Sequence, residues 1–284
     1  MSQTCGQLDV VVSRDRAEEL CGWIRENWKT EPVQVESPRG GPVVIQVYVD
    51  TPFRAEGLIR QLPTGAGILS AHAMACHEKH WSTFWRHHFH VQDIGRRLRT
   101  VPAWEKTPDR KRINLRMDPG LSFGTGGHFT TRFCLEQIEN AWDCDRPRSM
   151  LDAGTGSGIL AIAGARLGIA RIAAFDHDPV CLARCRHNAR LNRLRSDRIR
   201  FFTADVLQGG WCRKPADLVC ANILTSVLIA AAPALWRATR HRLVLTGIRE
   251  PEADSVSGAF RSQGAQEVLR DGDAEWCGMV MKRP

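Results

Sequence analysis

The sequence lacks the marks of a secreted, fibrous, membrane-embedded or metal-built protein. Its 10 cysteines form no C-x-x-C pair. Cys181 and Cys185 stand four apart on an expected helix, with no second pair to complete a zinc site. Reduced and mostly buried thiols are therefore expected, and no metal centre. Met1-Ser2-Gln3-Thr4-Cys5 has neither the basic start nor the apolar core of a secretion signal, which predicts a cytoplasmic protein. The longest uncharged run, Leu218 to Trp236, reaches the length of a membrane span. Asn222, Thr225, Ser226 and Pro233 interrupt it, so a strand followed by a helix fits better and no membrane span is expected. No internal repeat is visible, and the 24 Gly and 14 Pro follow no period, which excludes a fibrous design. His77, His80, His87, His88 and His90 crowd one stretch without a regularly spaced carboxylate or thiolate. Solvated or packing histidines are expected there.

What is present is ordinary globular material. Of 284 residues, 43% are hydrophobic and 25% charged, enough for a real core and too apolar for a mainly disordered chain. At about 150 residues per domain the length predicts two domains or one large one. The net charge of +8 favours an anionic partner, but only weakly.

Residues 7 to 75 read as a small α+β unit. Leu8 to Val12 is an apolar run followed by Ser13, a candidate helix cap. Ala17, Leu20, Cys21, Ile24 and Trp28 then recur at helical spacing. Val33 to Val35 is extended, Pro38 to Pro42 is a turn, and Val43 to Val49 alternates as a strand. Phe53 to Leu62 is a second helix and Gly67 to Met74 a fourth strand. The order βαββαβ is ferredoxin-like, so a domain is expected over 1–76. Residues 77–117, with Trp81, Trp85 and Trp104, read as a connector. A second domain is expected over 118–284. There, strand-like segments (149–152, 171–176, 199–203, 218–221 and 242–246) alternate with helical ones, which predicts a Rossmann-like, mostly parallel α/β sheet. Gln266 to Arg270 and Trp276 to Lys282 flank Asp271-Gly272-Asp273 as an antiparallel hairpin.

Asp152-Ala153-Gly154-Thr155-Gly156-Ser157-Gly158 runs from a strand into a helix. Glycines there allow a sharp turn and close approach of a ligand to the main chain. A nicotinamide fingerprint would put its third glycine at Ile159, whereas the chain has Gly158. G-x-G-x-G with an acid two residues ahead resembles motif one of the class I S-adenosylmethionine methyltransferases. Asp176 ends the next strand, where a carboxylate can accept both ribose hydroxyls. Asp205 stands where such enzymes place an acid near the adenine amino group. Asp178 is expected to cap a helix instead.

The most specific segment is Pro119-Gly120-Leu121-Ser122-Phe123-Gly124-Thr125-Gly126-Gly127-His128-Phe129-Thr130-Thr131. It reads as a polar lid before a helix beginning near Thr131, with a threonine able to cap that helix. It closely resembles the P-G-x-x-F-G-T-G-x-H-x-T-T signature of the bacterial PrmA family, methyltransferases of large-subunit ribosomal protein L11. Val219-Cys220-Ala221-Asn222-Ile223-Leu224 and Leu245-Thr246-Gly247-Ile248, followed by Glu275-Trp276, are further matches. Gly127, Phe129 and Thr225 depart from the family's usual residues.

The resemblance covers residues from about 80 onward, and the N-terminal unit more weakly. It implies a class I methyltransferase domain preceded by a small domain that recognises the ribosomal protein, with S-adenosylmethionine as cofactor. It assigns Phe123, Thr130, Gly154, Gly156, Asp176, Asp205 and Asn222 to cofactor binding, and Asn222 to catalysis as well. The implied reaction methylates lysine or N-terminal amines of L11. It needs a neutral amine, and lysine is about one part in 10³ neutral at pH 7 unless desolvated. Positioning should then dominate over acid–base work. Asn222 would orient the cofactor or the amine through its amide oxygen, with the Ile223 carbonyl as a second acceptor. The alternatives are a family member with another protein, RNA or small-molecule substrate, and a non-catalytic nucleotide- or RNA-binding module. A dehydrogenase is disfavoured by Gly158. The arginine-rich stretch 184–200 is a candidate contact to ribosomal RNA or an acidic partner, but a plain solvated helix face and loop is favoured because aromatic interleaving is absent.

Overall fold

The computed structural model describes residues 4–28, 30, 32–35, 41–49, 52–65, 67–77, 90–106, 111–118, 128–212 and 214–283. The chain divides into two compact units, Met1–His87 and His88–Pro284.

In the first unit, β1 (Thr4–Val12), α1 (Ala17–Trp28), β2 (Val33–Val35), β3 (Val43–Val49), α2 (Pro52–Ile59) and β4 (Ile68–His77) follow in that order. The sheet order is β2-β3-β1-β4 and every pairing is antiparallel. β3 turns Val43, Ile45, Val47 and Val49 inward at period two. The i, i+3, i+4 stripe of α1 packs on the same core. β1 begins four residues before its apolar run because it pairs with β4 from Thr4↔His77 onward, and ladder bonds need no apolar side chain. Ser13, the expected cap, makes no side-chain capping bond. Its N–H instead donates to the Gly67 carbonyl at 3.1 Å.

In the second unit, β5 (Gln92–Ile94), β6 (Leu98–Pro102) and β7 (Ile113–Met117) form a three-stranded sheet. They lie within the stretch expected as a connector. Ile94, Leu98, Leu115 and Met117 are buried in the core of this unit. Trp81, Trp85 and the histidines from 80 to 88 lie outside the described residues.

The main sheet has seven strands: β8 (Ser149–Ala153), β9 (Arg171–Asp176), β10 (Arg200–Thr203), β11 (Ala216–Asn222), β12 (Thr239–Arg249), β13 (Gln266–Gly272) and β14 (Trp276–Lys282). Their order is β10-β9-β8-β11-β12-β14-β13. The first five are parallel, and β14 runs antiparallel between β12 and β13. Helices α3 (Phe129–Cys144), α4 (Ile159–Leu167), α5 (Pro179–Leu191), α6 (Thr225–Ala238) and α7 (Ala253–Arg261) cover it. Alternation sorts the strand residues by face. Met150, Leu218, Cys220 and Val244 pack with α3, α4 and α5. Leu151, Val219, Ala221, Leu243 and Leu245 pack with α6 and α7. Both faces are buried, which is why these strands read as continuous apolar runs. The uncharged stretch 218–236 is accounted for by β11 and α6. No described helix is long and apolar enough to cross a membrane.

Strand order reverses between β8 and β11. In such a sheet the crevice beyond the carboxyl ends of those two strands is the ligand site.

Candidate active site

The loop from β8 into α4 occupies that crevice. Gly154, Gly156 and Gly158 all have left-handed φ, +73°, +53° and +84°, which L side chains rarely adopt. At Gly154 a Cβ would come within 2.3 Å of Ile223 Cγ2, so the loop lies directly against the end of β11. The N–H groups of Gly154 and Thr155 both donate to the Phe175 carbonyl at 2.9 Å, tying the loop to β9.

Asp152 is fully buried beneath the loop. Its Oδ2 accepts from Thr155 Oγ1 at 2.6 Å and Ala161 N at 3.2 Å, while its Oδ1 has no partner. Burial pushes its carboxyl up from 3.8 to about 6; the Thr155 and Ala161 bonds oppose this and the charge of Asp176 adds to it. The folded state therefore binds more protons than the unfolded one between about pH 4 and 6. Stability from this group is greatest at low pH and falls as pH rises through that window, by about 3 kcal/mol at most. Asp152→Asn is expected to flatten the thermal-stability profile between about pH 4 and 6. An unchanged slope there would contradict the buried-acid account.

Asp176 ends β9 and is 7% exposed. Its Oδ2 accepts from Gly156 N at 2.9 Å and its Oδ1 from Asp178 N at 3.1 Å. The acid is thus bonded to the glycine loop itself. Asp178 caps α5 through Val180 N at 2.8 Å, with Pro179 in the first turn, as its position predicts. Asp205 follows β10. Its Oδ1 holds Leu207 N at 2.9 Å, and the neighbouring Ala204 N donates to the Asp176 carbonyl at 3.0 Å. Phe175 stacks tilted on Phe202 and Trp211, with centroids 5.4 and 4.8 Å apart, a rigid apolar wall behind these loops.

Asn222 ends β11. Its Nδ2 donates to Thr130 Oγ1 at 3.4 Å, across 92 residues of sequence. Thr130 lies in the first turn of α3 and is 1% exposed. The helix starts two residues earlier than expected, and its cap is His128 rather than a threonine. His128 Nδ1 accepts from Thr130 N at 3.4 Å and lies 2.9 Å from Thr130 Oγ1. The ring stands edge-on to Trp276 at 5.1 Å, which fixes its direction. Thr131 turns inward, where its hydroxyl has no partner. Gly247, in the Leu245–Ile248 segment, presses on the same place: a Cβ on it would lie 2.4 Å from the Ile223 carbonyl oxygen. Ile223 N donates to the Thr246 carbonyl at 3.1 Å.

Two asparagines escaped the sequence reading. On α5, Asn188 accepts from Asp118 N at 2.9 Å and donates to the Ser157 carbonyl at 2.9 Å. One turn later Asn192 accepts from Arg116 N at 2.9 Å and donates to the Arg116 carbonyl at 2.7 Å. These amides clamp the end of β7, and so the entry to the 119–127 segment, to the glycine loop. The i, i+4 asparagine pair was the available signal, hidden among arginines. Phe123 and the rest of 119–127 lie outside the described residues.

The structure therefore brings together Gly154, Gly156 and Asp176 directly, joins Asp205 to them through the backbone of Ala204, and pairs Thr130 with Asn222, whose neighbour Ile223 lies against the same loop. A family model described as "Ribosomal protein L11 methyltransferase (PrmA)" matches residues 8–284. The chain belongs to this family. A protein of Pelobacter propionicus named ribosomal protein L11 methyltransferase is 41% identical over 214 residues, 72% of this chain and 66% of that relative. One of Desulfitobacterium hafniense with the same name is 34% identical over 251 residues, 83% of this chain and 78% of that one. The matched stretch is thus about two thirds of the first relative's length. A crystal structure of ribosomal protein L11 methylase from Lactobacillus delbrueckii subsp. bulgaricus superposes with a TM-score of 0.62 at 30% identity. It covers 69% of this chain and 99% of that one. The seven-stranded sheet, with β14 inserted antiparallel, is the Rossmann-like fold of class I methyltransferases. Three PrmA-like segments of the sequence, at 128–131, 219–224 and 245–248, meet at one point in this fold, the end of β11.

Proposed function

We propose that this PrmA-family chain is an S-adenosylmethionine-dependent methyltransferase that modifies lysine or N-terminal amines of ribosomal protein L11. The bond from Gly156 N–H to the Asp176 carboxylate carries the cofactor reading. It fixes an acid and a glycine-rich loop at the switch point of the sheet. Asp176 Oδ2 accepts from Gly156 N and Oδ1 from Asp178 N, with the exposed His177 ring 3.2 Å from Oδ1. Oδ2 keeps a lone pair for a ribose hydroxyl, and Oδ1 does so where the exposed imidazole turns away. The missing Cβ at Gly154 lets the loop close onto Ile223, whose Cγ2 would stand 2.3 Å from an added side chain, and so holds the loop's main chain at the crevice. Asp205 lies on the adjoining loop, on the side suited to the adenine amino group. These residues fit the cofactor. When bound, it supplies an electrophilic methyl group on a sulfonium.

The chain's own residues then position and desolvate. Thr130 is fixed by His128, and Asn222 by Thr130, so Asn222 cannot rotate freely at the end of β11. With its Nδ2 on Thr130, its amide oxygen is left to accept from the incoming amine or the cofactor. The Ile223 carbonyl, held by contact with Gly247, is the second acceptor. Two neutral acceptors orient the N–H bonds of the amine, and so its lone pair, without taking its proton, consistent with positioning rather than general-base catalysis. Asn222→Ala is expected to lower kcat roughly 10- to 100-fold, the size of one lost charge-directed hydrogen bond. Wild-type turnover and cofactor affinity in this variant would sink the role assigned to Asn222.

For the N-terminal unit we propose a ferredoxin-like domain that recognises the ribosomal protein. Its βαββαβ order and fully antiparallel β2-β3-β1-β4 sheet support that reading. The whole proposal is tested by incubating the protein with methyl-labelled S-adenosylmethionine and purified L11, then mapping methyl groups by mass spectrometry. Label on L11 amines is the expected result. Cofactor binding with no label on L11 would move the activity to another substrate.

A further inference from the structure

The charge surplus is concentrated at the end of the sheet away from the candidate active site. Two concavities open there. The larger, about 940 Å³, lies between β7 and the last turns of α4 and α5. It is lined by Arg97, Lys111, Arg112, Arg116, Arg166 and Arg193 and by no carboxylate among the described residues. Asp143 pairs with Arg97 at 2.6 Å and Asp93 with Arg112 at 3.1 Å, while Arg166 and Arg193 meet no carboxylate among the described residues. The smaller, about 340 Å³, lies where β8, β9, β11 and β12 begin. Arg146, Arg148, Arg171, Arg240 and Arg242 line it against Asp145 and Asp217. Buried Arg242 pairs with Asp145 at 2.5 Å, yet its Nε has no acceptor. Arg146, Arg148, Arg166, Arg171 and Arg193 have no carboxylate partner among the described residues.

We propose that this face binds the phosphodiester backbone of duplex RNA. Clustered like charges cost the fold stability through mutual repulsion, and a polyanion relieves that cost. The chemistry selects phosphate. Arginine supplies 33 of the chain's 39 cations, and its planar fork pairs bidentately with phosphate oxygens. The larger groove offers only Ile113 and Leu191 as apolar lining, too little to hold the side chains of an acidic peptide. Neither concavity has an aromatic platform on which unpaired bases could stack. Backbone contact without base stacking suits an A-form duplex, which proteins recognise by shape, phosphate and 2′-hydroxyl. The inference rests on the charge distribution and stands or falls independently of the methyltransferase reading.

The test is fluorescence anisotropy of the full chain with a labelled RNA duplex of about 20 base pairs, titrated between about 50 and 200 mM salt. Wild-type binding is expected to weaken steeply, with a log–log slope steeper than about −3. Arg166, Arg171 and Arg193 are exposed and take no part in the candidate active site. The triple Gln variant should bind at least tenfold more weakly and lose about two to three units of slope, roughly one per phosphate contact. The triple Lys variant should stay near wild type, and both should methylate free L11 as wild type does. Wild-type RNA affinity in the Gln variant, a wild-type slope shallower than about −2, or equally tight binding of polyglutamate would overturn the proposal.

Discussion

Asp176→Ala is expected to weaken S-adenosylmethionine binding by roughly 100-fold or more. In the proposed site the carboxylate accepts both ribose hydroxyls, and a hydrogen bond to a charged acceptor contributes about 1.5–3 kcal/mol. Two of them lost together correspond to a factor of about 10² to 10⁴ in Kd. The same carboxylate also holds Gly156 N and Asp178 N, so the substitution loosens both loops as well as removing a ligand contact. Asp176→Asn keeps the shape and one acceptor oxygen but loses the charge, and its affinity should fall between the two. Calorimetric titration of the cofactor is the measurement, with thermal stability recorded alongside. A Kd within about threefold of wild type in the Ala variant would remove Asp176 from the cofactor site. Catalysis would then have to be rebuilt on Asp205 and the glycine loop alone.

Gly247→Ala should be the most damaging of the small substitutions to the fold itself. Its φ is +81°, a conformation that costs an L-residue about 1–2 kcal/mol. The added Cβ would stand 2.4 Å from the Ile223 oxygen, 2.9 Å from its carbonyl carbon and 3.1 Å from its nitrogen. All three are backbone atoms at the end of a central strand, so none can rotate away. Overpacking of this kind costs about 1–3 kcal/mol more, and the total of about 2–5 kcal/mol corresponds to a fall in Tm of roughly 5–15 °C. Turnover should suffer beyond the loss of stability, because the displaced Ile223 carbonyl adjoins Asn222. Gly258→Ala is the matched control: it sits exposed in α7 with nothing within 4 Å of an added Cβ. It should gain up to about 1 kcal/mol through helix propensity. If the Gly247 variant melts within a degree or two of wild type, the close approach is not a constraint.

Much of the second unit was legible because its signals are local. A strand running into three left-handed glycines marks a turn that few other sequences can make, and the acid at the end of the following strand falls where the fold needs it. The alternation of apolar runs with helical segments gave five parallel strands within three residues of their observed ends. The β5-β6-β7 sheet was not legible. Ile113, Leu115 and Met117 alternate over only five residues, and the partners that make them a strand lie in β6, across the highly charged stretch 103–112. The helix cap at His128 was misassigned to a threonine for a similar reason. An imidazole becomes a cap only when its ring is held in place, and here Trp276, distant in sequence, holds it.

The arginines of 184–200 show the same division. Their number is plain in the sequence, but their roles differ one by one. Arg198 donates to the carbonyls of Ala165, Ile169 and Ala170 at the end of α4. Arg195 pairs with Asp197, Arg200 lies over Phe202 at 5.1 Å, and Arg193 lines the basic groove. What the sequence by itself determined was the glycine loop, the parallel sheet that presents it and the family to which the chain belongs. All three are written in short runs of residues whose backbone preferences act over a few positions. The tertiary structure alone decided that Asn222 meets Thr130, that Asn188 clamps Asp118 to Ser157, and that scattered arginines share one face. Those contacts join residues tens of positions apart, and only the packing of strands against helices brings them within hydrogen-bonding reach.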